Sequence, residues 1–174
     1  MVCQQGNPIY LDMKKKITVF VSYARANRDL ATRFLKKFKE QAAPSKQYQY
    51  VFWRDADILV GEKWHEKIQV ALAQCDLGLV LVSPAFLGSQ YIQDHELPKF
   101  LKSGGKSVIP VLLQPIDLDR HDLKGLQRTQ IFRLDRPRFA SPKAYGECSG
   151  TQRDQFALEL FRQVEARLDK VVKN

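Results

Sequence analysis

No apolar run in this sequence approaches the roughly 20 residues that a membrane-crossing helix requires, so no membrane partner is expected. Cysteine is scarce as well. Cys3, Cys75 and Cys148 are odd in number and show neither CxxC nor Cys/His metal-ligand spacing, which argues for free thiols in a reducing, cytoplasmic setting and against a metal site. Internal repeats and low-complexity segments are missing, and residues 1–16 lack the apolar core of a secretory signal. Met13 followed by three lysines reads as an alternative beginning of the folded part. The expected organisation is a loose segment over residues 1–13 and a single domain over 14–174, long enough for a proper core and too short for a second catalytic domain.

Hydrophobic residues at 44% and charged residues at 27% are ordinary globular values, consistent with a soluble protein. The net charge of +9 raises the question of a polyanionic partner. The basic residues are dispersed over 14–16, 33–39, 120–138 and the C-terminus, and no nucleic-acid motif accompanies them. A solvated basic surface is therefore expected, with no specific nucleic-acid partner.

Four short runs read as strands: 17–22 (ITVFVS), 50–54 (YVFWR), 77–82 (LGLVLV) and 108–113 (VIPVLL), with 130–134 as a fifth at an edge. Their lack of alternation fits parallel strands covered on both faces. Between them lie amphipathic patterns: Leu30, Phe34, Leu35 and Phe38 after a cap at Asn27; Trp64, Ile68, Ala71 and Leu72; Ile92, Leu97 and Phe100 after a cap at Ser89; and a closing helix over 155–171. Residues 135–153 read as a long loop. The order calls for right-handed crossovers and an α/β domain: a flavodoxin-like, five-stranded parallel sheet of order 2-1-3-4-5 with helices on both faces.

In that order the chain reverses between the first and third strands, opening a crevice between the loops at 23–28 and 84–89. Glu96 lies beside it, about two turns past the end of the third strand. Taken alone, a helix carboxylate is a solvated surface group. Here Pro98 cannot donate its amide to the carbonyl of Asp94, so the helix is predicted to kink or break beside Glu96.

The strand ends exclude several chemistries. A phosphate-accepting receiver domain needs acids where this chain has Ser22-Tyr23 and Ser83-Pro84. Gly105-Lys106-Ser107 imitates a P-loop, but Phe100 stands at the first glycine position and the segment precedes a strand. GxGxxG after the first strand and a GxSxG elbow are both missing.

VFVSYAR at 19–25, RDADILVGEKW at 54–64 and LVLVSPAFLGSQYIQDHEL at 79–97 together resemble a TIR domain, the Toll and interleukin receptor family, in its bacterial form. The resemblance covers about 15–113 well and the C-terminal third loosely. It implies a flavodoxin-like fold and, in many members, cleavage of the nicotinamide–ribose bond of NAD as the effector arm of immune or antiphage systems. Other members are adaptors that associate through loops and helices. The family's catalytic glutamate matches Glu96. Arg25 matches a pocket arginine, with Tyr23 beside it in the first loop, and Asp55, Gly61 and Trp64 match the loop that covers the nucleotide. Many members carry an aromatic residue four positions before the glutamate, where this chain has Ile92, with Tyr91 one position earlier.

The implied partners are NAD, as substrate, and other TIR domains by homotypic association, with a sensor domain or protein as a further one. No cofactor or metal is implied. Nicotinamide leaves neutral, and a carboxylate can stabilise the oxocarbenium character that develops on the ribose. The alternatives are a non-catalytic interaction module and a sugar-nucleotide hydrolase or transferase of similar fold. The apolar loop at 58–60, centred on Leu59, motivates self-association, because a lone monomer would expose it beside the site.

Overall fold

The computed structural model describes residues 13–55 and 61–172. The loose segment expected before Met13, Cys3 and the apolar loop at 58–60 lie outside the described residues. The elements are β1 (Lys15–Ser22), α1 (Arg28–Ala42), β2 (Tyr48–Trp53), α2 (Trp64–Gln74), β3 (Leu77–Val82), α3 (Pro84–Leu87), a π-helical turn (Ile92–Glu96) running into α4 (Leu97–Leu101), β4 (Ser107–Leu112) and α5 (Gly150–Val172).

The sheet is parallel with order β2-β1-β3-β4. Every residue of β3 is buried, as a strand covered on both faces requires. On one face Val19, Val21, Leu79 and Val111 pack with Phe34 and Phe38 of α1 and Phe156, Leu160 and Val164 of α5. On the other, Phe20, Val80, Val82 and Val108 pack with Ile68 and Leu72 of α2 and Leu97 and Phe100 of α4. The result is a helix–sheet–helix sandwich. Gly78 admits α4 closely to the sheet, since a β-carbon there would stand 2.3 Å from Cε1 of Phe100.

The expected five-stranded sheet is corrected to four strands among the described residues. Residues 130–134 do run beside β4, yet only the bridge Val111↔Phe132 forms. Phe132 donates to the Pro110 carbonyl (2.8 Å) and accepts from the Leu112 amide (2.9 Å). The next parallel bond back along the chain would need an amide at residue 110, which proline lacks. Onward, Leu134 exchanges both backbone bonds with Lys143 (3.0 and 2.8 Å) and leaves the ladder.

The loop expected over 135–153 is shorter and anchored. Tyr145, fully buried, packs edge-on to Phe34 and Phe156. The helix after it starts at Gly150, five residues before the periodicity at 155 suggested. The Gln152 side chain accepts from the Ser149 amide at 3.0 Å, the returning half of a capping box that the apolar pattern does not reveal.

Candidate active site

The crevice opens where β1 and β3 diverge toward neighbours on opposite sides, at the carboxyl ends of the strands. Phe20 and Ser22 sit on the same side of β1 by strand alternation, toward α2 and α4. Ser22 is therefore a polar residue ending an apolar run at the floor of the crevice. Above it, the helix begun at Gln90 widens into the π-turn Ile92–Glu96, closed by Leu97 N–H bonding back to the Ile92 carbonyl. The expected irregularity beside Glu96 is present and takes this form. A π-turn adds a residue to the helix and turns the side chains that follow it.

Glu96 is 7% exposed, and its Oε2 accepts a short hydrogen bond from the Ser22 hydroxyl. Burial pushes the carboxyl up to about 7; the Ser22 bond opposes the shift and the charge of Asp55 adds to it. Asp55 accepts from the Tyr23 hydroxyl at 2.7 Å and faces Arg25 at 4.0 Å. Burial, then the bond to Asp55, raise the Tyr23 phenol well above its ordinary range. Arg25 lays its guanidinium 4.6 Å over the Trp64 ring, and Trp64 meets Tyr91 with ring centroids 4.4 Å apart.

These side chains enclose a cleft of about 380 Å³ lined by Tyr23, Arg25, Asp55, Trp64, Tyr91, Ile92 and Glu96, with Phe20 and Ser22 at its floor. That volume is within the range of small-molecule sites. Of the residues singled out in the sequence, Gly61 alone stands outside the lining. Its φ of 89° makes the turn before α2, a conformation that only glycine adopts without strain. Ile92 is buried at the wall. Among the described residues, no group of three or more His, Cys, Asp or Glu is placed to hold a metal ion.

Three contributors went unread in the sequence. In the sequence Ser22 is a strand end without an acid and without an evident His and Asp partnership. His65 bonds its Nδ1 to the Tyr91 hydroxyl at 3.0 Å, and the His95 ring packs against both (5.0 Å from His65, 4.7 Å from Tyr91), bracing the aromatic wall from outside. The signal for Ser22 was its place at the end of an apolar run opening on a crevice. None marked the histidines, whose partners come from separate helices. Asn27, expected to cap α1, makes no such bond. Its amide instead accepts from Ser83 Oγ (2.6 Å) and donates to Gln114 (2.9 Å), tying together the ends of β1, β3 and β4.

A family model described as TIR domain matches residues 19–143. The uncharacterized protein y4lF of Sinorhizobium fredii (strain NBRC 101917 / NGR234) is 31% identical over 103 residues, which is 58% of this chain and 31% of that protein. The chain thus spans less than a third of that relative's length.

Proposed function

The chain belongs to the TIR domain family, and from that premise we propose that it cleaves the nicotinamide–ribose bond of NAD, as a glycohydrolase or cyclase. We further propose that it works as an effector of a bacterial immune or antiphage system and is activated by self-association. The observation that carries the catalytic reading is the Glu96 carboxylate, buried at the floor of a cleft and hydrogen-bonded by Ser22. Burying a carboxylate is costly unless something repays it. Among the described residues it has one hydrogen bond, and it faces a cavity, an arrangement suited to meeting a cation.

In this reading the nicotinamide ring lies against Trp64 and Tyr91, which supply the aromatic face that Ile92 does not, and Arg25 at the mouth faces the anionic diphosphate. The C1′–N bond breaks with its electron pair leaving on nicotinamide. The positive charge that grows on the ribose is stabilised by Glu96. Water then adds to C1′ to give a linear product, or a ring nitrogen of the adenine adds to give a cyclic one.

The test is free nicotinamide released from NAD by concentrated purified protein. Glu96→Gln keeps size and reach while removing charge, and should lower release by at least about 100-fold, or about 2.7 kcal/mol of barrier. Asp94→Asn is the control: Asp94 is exposed and among the described residues holds only Gln90, at 2.9 Å, so its loss should leave release unchanged. Full activity in Glu96→Gln would remove Glu96 from the chemistry. Wild type that never releases nicotinamide, even when assembled, would leave the adaptor reading.

A further inference from the structure

Ser22 and Glu96 are 74 residues apart in sequence, and the hydroxyl of one meets the carboxylate of the other inside the cleft. Ser22 is 2% exposed and its backbone is pinned in the sheet, paired with Val80 of β3. Glu96, by contrast, reaches the cleft through a side chain with three rotatable bonds from a helix whose bonding changes at that residue. A contact from a fixed strand end removes that freedom. Among the described residues Ser22 is also the one hydrogen-bond partner that Glu96 has, and it occupies Oε2, leaving Oε1 for a ligand.

We propose that Ser22 is a positioning residue of this site: its hydroxyl aims the Glu96 carboxylate into the cleft and holds it there in the charged form. A hydroxyl donor stabilises a carboxylate more than a carboxyl group, and burial works in the opposite direction. Without Ser22 the buried acid would keep its proton at neutral pH and present no negative charge to a developing cation. The catalytic consequence rests on the reading of Glu96 given above; the ionisation itself does not.

Among the described residues, the Ser22 hydroxyl bonds none of the other groups around Glu96. Asp55 comes from the loop after β2, held by Tyr23 and Arg25 from the loop after β1. Tyr91 lies one turn earlier on the same helix, backed by His65 of α2 and by His95. A shift on removing the hydroxyl therefore reports the hydroxyl.

The experiment follows Glu96 in the full chain by NMR of ¹³C-labelled glutamate carboxyls from about pH 5 to about pH 9, its resonance identified by absence from Glu96→Gln. In Ser22→Ala the midpoint should rise by about one pH unit above the wild-type value, and nicotinamide release near neutral pH should fall about tenfold and recover in alkali. Ser22→Thr, which keeps the hydroxyl, should return both toward wild type. A Ser22→Ala midpoint equal to or below that of wild type overturns the proposal, whatever the activities are. If wild type releases no nicotinamide while the midpoint still rises in Ser22→Ala, Ser22 keeps its role and the NAD reading fails.

Discussion

Glu96 binds its proton more tightly in the fold than in the unfolded chain, with a folded pKa of about 7 against 4.5. A carboxyl shifted this way contributes stability that is fully present below the unfolded value and is lost as pH rises through about 7. For a group 7% exposed, the span amounts to a few kcal/mol, since each pH unit corresponds to about 1.4 kcal/mol. Glu96→Gln has no proton to lose, so its urea midpoint relative to wild type should climb between about pH 5 and pH 8. A difference that stays flat across that range would mean Glu96 ionises as a solvated side chain does. The place of Glu96 was legible in the sequence, because strand, turn and helix lie consecutively and put it beside a crevice. Its partner was not, because nothing local links Ser22 to a residue on another element. The same limit applies to Asn27, whose local pattern promised a cap while Ser83 and Gln114 claimed its side chain.

At the scale of elements, the π-turn that carries Glu96 is followed at once by Pro98, which has no amide to offer the Asp94 carbonyl. Pro98 is exposed and stands in the first turn of α4, where proline is well tolerated. Pro98→Ala should therefore change stability by no more than about 1 kcal/mol. With an amide restored, the helix can close its regular i→i−4 bond and relax toward the α form, turning Glu96 by up to about 100°. Nicotinamide release should then fall at least about tenfold. The loss of stability between about pH 5 and pH 8 should flatten too, because a rotated Glu96 is solvated. Retention of both activity and pH dependence would show that the packing of Leu97 and Phe100 holds the π-turn without the proline. Pro98 was readable because its effect is local. The effect of Pro110 was not: it removes a bond from a strand twenty residues later, so 130–134 keeps its predicted place beside β4 and loses its predicted ladder.

For the whole molecule, charge and assembly pull against each other. Copies carrying a net charge of +9 repel at low ionic strength, and salt weakens that repulsion as the screening length contracts to about 10 Å at 0.1 M. If activity depends on self-association, turnover per molecule at saturating NAD should rise with protein concentration, and at fixed concentration should rise with moderate salt. A polyanionic activator bound by the same basic surface would give the opposite sign, since salt dissociates such complexes. The apolar loop at 58–60 is the sequence feature that points to association, and Leu59→Asp should blunt the concentration dependence by placing a charge in a contact meant to be dry. Turnover strictly proportional to enzyme over about a hundredfold dilution, with Leu59→Asp indistinguishable from wild type throughout, would mean that a single copy is fully active and that the cleft needs no neighbour to complete it.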